Sequence, residues 1–203
     1  MKTLALILSV LVLGQEKAPE GATVLDASQL VHEDGKPCSW PVADGVLEVG
    51  KGSVMTKEKY GDFQLHVEFN LAESPEAAKG QGRSNSGVYL SGRHECQVLD
   101  SFGLTGENNE CGGIYTIAKP KVNMCLPPLR WQTYDIEYHS ATADKPATIS
   151  VLHNGVEIHK DVACSKKTTS APDGGAEGTP GPLHMQDHGN PVLYRNLWIV
   201  ELK

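Results

Sequence analysis

The run at 62–71, DFQLHVEFNL, alternates apolar and polar side chains without a break. In an extended chain Phe63, Leu65, Val67, Phe69 and Leu71 point one way, and Gln64, His66, Glu68 and Asn70 the other. A helix would scatter these residues around its circumference, so the segment reads as a half-buried strand with one polar face. The same period returns at 133–139, TYDIEYH, with Tyr134, Ile136 and Tyr138 on one face. At 147–162 two β-like runs flank Asn154-Gly155, a dipeptide suited to a tight hairpin. Further strands are expected near 46–49, 53–56, 86–91, 95–99, 112–116, 182–186 and 192–201. No long stretch has helical periodicity. About ten short strands in one chain of 203 residues predict a single all-β domain, a sandwich of two sheets closed on one core. The polar loop at 72–84 and the connection at 165–181 both lie between strands, so neither reads as a domain linker.

The first residues belong to a different pattern. Residues 1–14, MKTLALILSVLVLG, have a positive start at Lys2 and an apolar run over 4–13 interrupted only by Ser9. The run is too short to span a bilayer and matches a secretory signal, with Val12 and Gly14 as the small residues before the cleavage point. The mature domain is then expected at 15–203, without a transmembrane span and either periplasmic or secreted. Lys and Arg total 18 against 25 Asp and Glu, a net charge of −7. No basic block stands out, which argues against a nucleic-acid partner and makes a neutral ligand the easier expectation.

The chain has five cysteines, Cys38, Cys96, Cys111, Cys125 and Cys164. Export would permit disulfides, and the odd number leaves at least one thiol unpaired within the chain. Cys111 and Cys125 bracket a strand-and-turn segment and are the pair favoured here, though other pairings stay open. Cys96 sits in a strand-like run and reads equally as a small core residue. No C-x-x-C suggests structural zinc, and no P-loop, H-E-x-x-H or G-x-S-x-G is present.

Three polar clusters are candidates for chemistry. The first joins NSGVY at 85–89 to the run RHECQVLDS at 93–101, where Arg93, Glu95 and Gln97 share one strand face and Cys96 and Val98 the other. Periodicity alone favours a solvated surface over a binding groove for that face. The second is HMQDHGNP at 184–191, where Asp187 and His188 enter a turn beside Gln186. An Asp beside a His can orient the imidazole for proton transfer, and turn capping by Asp187 is the plainer reading. The third is Trp131, either a platform for a sugar ring or a core-covering aromatic. Trp198 is expected in the core, and Arg195 beside it on the same polar surface as the first cluster.

The order of several pieces carries more than any one of them. Trp40, YGDF at 60–63, NSGVY at 85–89, ECQVLD at 95–100, CGGIY at 111–115, WQTYD at 131–135, HNG at 153–155 and QDHGNP at 186–191 follow one another. In this order the chain resembles the bacterial 3-keto-disaccharide hydrolase family over roughly residues 22–202. One departure is Cys96, where an apolar residue such as Val is expected. The resemblance implies a concanavalin-like jelly roll of two antiparallel sheets and exported proteins acting on oxidised sugars.

For such a substrate, the ketone at C3 acidifies the C2 proton, so β-elimination of the C1 substituent and hydration give net hydrolysis. That chemistry needs a base, an acid for the leaving oxygen, and donors or a divalent metal ion for the enolate. The expected assignments are Glu95 and His188 as the proton-transfer pair and Asp187 orienting His188. Arg93, Gln97, Gln186, Asn85, Trp131 and Arg195 are expected to contact the sugar. No EF-hand spacing marks a metal site. A two-carboxylate glycosidase using Glu95 and Asp187 is a weaker variant. The rivals are a non-catalytic glycan-binding module, which needs a groove but no acid–base pair, and a structural surface protein.

Overall fold

Alternation along the longest strands builds two sheets whose apolar faces meet. The computed structural model describes residues 17–168, 171–172 and 175–203, so the leader expected at 1–14 lies outside the described residues. In chain order the strands are β1 (Thr23–Leu25), β2 (Leu30–His32), β3 (Val42–Ala43), β4 (Val46–Glu48), β5 (Val54–Thr56), β6 (Phe63–Leu71) and β7 (Ser86–Leu90). They continue with β8 (His94–Val98), β9 (Trp131–His139), β10 (Ala147–His153), β11 (Val156–Cys164), β12 (His184–Met185) and β13 (Val192–Glu201). The larger sheet has eight strands in the order β11-β10-β9-β6-β13-β4-β3, with β1 also paired to β13. The smaller has five, β2-β5-β12-β7-β8. Every pair is antiparallel. This is the all-β, two-sheet jelly-roll sandwich expected from the sequence. Among the described residues no helix is long and apolar enough to cross a membrane.

The core lies between the sheets. Phe63, Leu65, Val67, Phe69, Tyr134, Ile136, Tyr138 and Ile149 of the larger sheet pack with Val54, Val88, Cys96, Val98 and Met185 of the smaller. Three tyrosines of the larger sheet also reach polar atoms of the smaller one. Tyr134 donates to the Gln97 carbonyl at 2.7 Å, Tyr194 to Ser86 Oγ at 2.7 Å, and the Tyr138 hydroxyl lies 3.4 Å from His94 Nδ1. Burial lowers the His94 pKa to about 4, so that ring is neutral at ordinary pH.

The structure departs from the sequence reading in four places. The segment at 112–116 is not a strand. Gly112 turns the backbone at φ 78°, and Ile114 makes only isolated bridges to Cys96 and Ala118. Strands β1 to β3, two or three residues each, are too short to carry a period-2 signal. The polar face of β6 is not left to solvent, since His66 and Glu68 are buried. Arg195 Nε donates to Glu68 at 2.6 Å, Asn196 donates to Glu68 at 2.9 Å, and Asp135 lies 2.6 Å from His66 Nδ1. Trp198 is buried as expected but on this outer face, where it stacks on His66 at 5.0 Å. A register shift between Arg195 and Trp198 folds that end of β13 over the network.

All five cysteines are free thiols here. Cys111 and Cys125, the pair favoured from the sequence, meet in the core as unbonded neighbours.

The β10–β11 hairpin turns at Asn154 (φ 52°) and Gly155 (φ 76°), the left-handed conformations that an Asn-Gly pair accepts at low cost. Gly155→Val should therefore lower stability by about 1–2 kcal/mol. Urea unfolding would show it as a lower midpoint with an unchanged slope.

Candidate functional site

The hairpin of β7 and β8, with β12 beside it, sets a row of side chains on the outer face of the smaller sheet. Register places Met55, His184, Tyr89 and Glu95 side by side across four strands. Alternation puts Val88 and Cys96 inward, so Tyr89 and Glu95 must face out. They are nevertheless 0% and 2% exposed, because loops fold over them. Gln186 N–H bonds the Gly87 carbonyl at 3.0 Å, Tyr115 N–H bonds the Glu95 carbonyl at 3.0 Å, and Thr168 Oγ1 accepts from the Glu95 N–H at 3.2 Å. A pocket of about 60 Å³ remains, lined by Gln81, Asn85, Tyr89, Glu95, Gln97, Tyr115, Gln186 and His188.

Glu95 is the electrostatic centre of this pocket. Its carboxyl lies over Gly87, where an added Cβ would stand 2.2 Å from Oε1. Burial raises its pKa to about 8, against a smaller lowering by the hydrogen bond from Tyr89. Tyr89 is raised by burial and by the adjacent Glu95. The Tyr89 hydroxyl accepts from Gln186 Nε2 at 3.0 Å while donating to Glu95, so an amide–phenol–carboxyl chain runs along one wall. Behind it, the buried His184 packs edge-on to Tyr89 at 5.0 Å and meets Glu33 at 3.2 Å. Its pKa is lowered, chiefly by burial.

Asn85 is fixed by bonds from Nδ2 to the Gln81 carbonyl and Oε1, at 2.8 and 3.2 Å. Its Oδ1 is buried and has no protein partner. A buried acceptor of this kind seeks a donor, and a ligand hydroxyl would satisfy it. Gln97 is occupied otherwise, its Nε2 donating to Gln81 Oε1 at 3.0 Å and its Oε1 accepting from the Val98 N–H at 2.9 Å. Both of its amide atoms are thus committed within the pocket wall, where it positions Gln81.

The structure thus brings together Glu95, Gln97, Asn85, Gln186 and, at the exposed rim, His188. It separates the other candidates. Asp187 turns away from His188, accepting from Gly52 N–H and Gly189 N–H at 2.8 Å each, so it caps the turn. Arg93 is committed to the 165–181 connection, donating to Ser91 Oγ at 2.7 Å, to both oxygens of Thr179 at 3.1 Å, and to the Ala176 carbonyl. Trp131 and Arg195 lie on the outer face of the larger sheet, with the guanidinium 3.9 Å from the ring centre. The solvated surface favoured for Glu95 and Gln97 is instead a covered pocket.

Tyr89 and His184 fell inside the candidate clusters without a role assigned to them, and Gln81 and Tyr115 lay outside those clusters. Tyr89 was recoverable from the NSGVY run, being in register with Glu95. Gln81 sits in a loop without periodicity and carried no signal.

A groove of about 310 Å³ on the larger sheet's outer face is roomier. Its carboxylates are already engaged, however: Asp135 with His66, Glu137 with His139 and Gln64, and Glu157 with Lys121. Among the described residues no three His, Cys, Asp or Glu side chains converge on a metal position. The divalent ion considered from the sequence therefore finds no such cradle there.

A family model described as a 3-keto-alpha-glucoside-1,2-lyase-like domain matches residues 20–200. Among solved structures, a Parabacteroides distasonis protein provisionally described as a glycosyl hydrolase is 32% identical, with a TM-score of 0.80 over 91% of this chain and 85% of that one. A second protein of that organism and description is 22% identical, with a TM-score of 0.68 over 91% and 95% of the two chains. The alginate lyase Aly36B is 9% identical, with a TM-score of 0.53 over 92% and 99%. These last two show a shared fold alone. No curated protein matches the chain.

Gly87→Ala should test the geometry around Glu95 without imposing backbone strain. The added methyl must push the carboxyl out of its seat. The fold should survive by circular dichroism, while the Glu95 titration, followed by carboxyl carbon NMR, should fall from about 8 towards an ordinary carboxylate value.

Proposed function

Because the chain belongs to the 3-keto-alpha-glucoside-1,2-lyase-like family, a carbohydrate-active and glycosyl-hydrolase-like group, we propose that it cleaves the glycosidic bond of a 3-keto-glycoside with Glu95 as the base. The observation that carries this reading is a buried carboxyl, raised to about 8, at the bottom of a polar pocket. A base of that strength suits removal of a proton made acidic by a neighbouring ketone. A glycan-binding module has no need of such a group.

In the first step Glu95 takes the C2 proton, and the C–H electrons pass to the C3 ketone oxygen as an enolate. The Tyr115 hydroxyl and the Gln186 amide line the pocket and supply donors for that oxygen. The electrons then return, the C1–O bond breaks, and His188 at the rim protonates the departing alcohol. Water adds its hydroxyl to C1 of the enone and gives its proton back to His188, while Glu95 returns a proton to C2, giving free 3-ketoglucose. One water is consumed and one alcohol released, so the net reaction is hydrolysis. Asn85 Oδ1 accepts a sugar hydroxyl. The pocket admits only one edge of a ring, so the rest of the glycan lies outside past His188. Among the described residues Glu95 is the single carboxylate in the lining, which leaves the two-carboxylate mechanism without a partner for it. On the same reading the chain is exported, cleaved after Gly14, and works in the periplasm or outside the cell.

The direct test is incubation of the mature chain with a 3-keto-glucoside in D₂O, followed by NMR. Deuterium at C2 of the released 3-ketoglucose, beyond the enzyme-free control, is the expected result. Sugar binding without turnover would make the chain a binding module instead.

Glu95→Gln should reduce kcat/KM by about 10²–10⁴-fold, and full retained turnover would remove Glu95 from the mechanism.

The pH profile has a definite sign. A base must be unprotonated, so in a His188→Ala variant, where the leaving-group acid no longer shapes the curve, kcat/KM should rise about tenfold per pH unit below the Glu95 pKa of about 8 and level off above it. A fall above that point in the same variant would assign Glu95 the acid role.

A further inference from the structure

Cys111 and Cys125 lie outside the catalytic pocket and play no part in the proposed chemistry. Three hydrogen bonds draw their backbones together. Ser101 Oγ accepts from Cys111 N–H at 2.9 Å, the Ser101 carbonyl accepts from Asn123 Nδ2 at 2.7 Å, and Asn123 Oδ1 accepts from Cys125 N–H at 2.9 Å. The side chains enter the same part of the core, 1% and 6% exposed, and their thiols interact directly. The Cys111 sulfur is also 3.1 Å from the Tyr134 hydroxyl, and the Cys125 thiol faces the Leu99 and Leu126 carbonyls. Cys96, Cys164 and Cys38 show no comparable sulfur partner among the described residues.

We propose that Cys111 and Cys125 form a disulfide when the chain folds in the presence of a disulfide oxidant such as glutathione disulfide. The Cys111 thiolate attacks the oxidant and releases one glutathione thiolate. The Cys125 thiolate then attacks the Cys111 sulfur of the mixed disulfide and releases the second. The protein loses two protons and two electrons, and one oxidant disulfide becomes two thiols. The step belongs to folding, because the closed core shields both sulfurs from the oxidant. The hydrogen bond with the Cys111 thiol and then burial also hold Cys125 protonated in the finished fold.

The bridge would close the segment 111–125 into a ring. That segment forms one wall of the pocket: Gly113 O accepts from Gln97 N–H at 2.9 Å, Gly112 N–H bonds the Gln97 carbonyl at 3.0 Å, and Tyr115 N–H bonds the Glu95 carbonyl at 3.0 Å. Oxidation would thus tie the Tyr115 wall covalently to the core beneath it. The inference does not depend on the sugar chemistry proposed above.

The test refolds the full chain from denaturant with glutathione disulfide, blocks the remaining thiols, and maps peptides without reduction. The expected product is a linked pair joining Cys111 and Cys125, two hydrogens lighter than the separate peptides. Its melting temperature should lie about 5–10 °C above that of the dithiothreitol-treated protein. Cys125→Ala should lose this increment. Native protein should resist both oxidation and alkylation at these two thiols. Recovery of Cys111 and Cys125 as blocked thiols after oxidative refolding, or bridged to other cysteines, would overturn the proposal. Peptide mapping of the unaltered chain gives that answer even if the variant fails to fold.

Discussion

The two sheets are held in relative position by polar contacts that cross an otherwise apolar core. Apolar packing supplies most of the attraction, but it is non-directional and would tolerate some sliding of one sheet over the other. A buried phenol does not tolerate it, because losing its partner leaves an unsatisfied group at a cost of about 1–3 kcal/mol. Tyr134 on the Gln97 carbonyl and Tyr194 on Ser86 Oγ tie the larger sheet to the two strands that build the pocket. Ser86 Oγ in turn bonds the Gln186 carbonyl at 2.7 Å. The pocket on the outside of the smaller sheet thus rests on contacts made on its inside.

The protein buries a carboxylate on the outer face of each sheet and treats the two differently. Glu68 receives a guanidinium from Arg195 and an amide from Asn196, which compensate for lost hydration. Glu95 receives a phenol from Tyr89, and among the described residues no Lys or Arg lines its pocket. Desolvation therefore goes largely uncompensated and favours the protonated form. That arrangement weakens the fold as pH rises past the ordinary carboxylate range. It also leaves a carboxyl of raised proton affinity in the wall of a pocket, a combination common at functional sites. Glu68 belongs to the structure for the same reason that Glu95 belongs to the site.

Much of the fold was legible because strand direction is a local property. The alternation in β6, the shared face of Tyr134, Ile136 and Tyr138, and the Asn154-Gly155 turn all follow from neighbours in sequence. The same rule put Glu95 and Gln97 on one face and Cys96 on the other. It failed where a residue's partner is remote. Arg93 shares the Glu95 face by count, yet Thr179, far along the chain, claims its guanidinium. Asp187 adjoins His188 in sequence, yet its carboxylate bonds the backbone of Gly52. Trp131 and Arg195 do meet, but on the sheet opposite the pocket.

The amino-acid sequence by itself determined the all-β class, the inward and outward sides of the principal strands, the position of a tight hairpin, and an ordered set of motifs that marks the family. Only the tertiary structure decided that the polar face of β8 is covered rather than solvated, and that Tyr89 rather than Arg93 attends Glu95. It also decided that Asp187 caps a turn and that Cys111 meets Cys125. Side-chain direction follows from backbone periodicity within a few residues. Solvation and pairing depend on which distant loops close over a surface, and a carboxyl's proton affinity follows from those two.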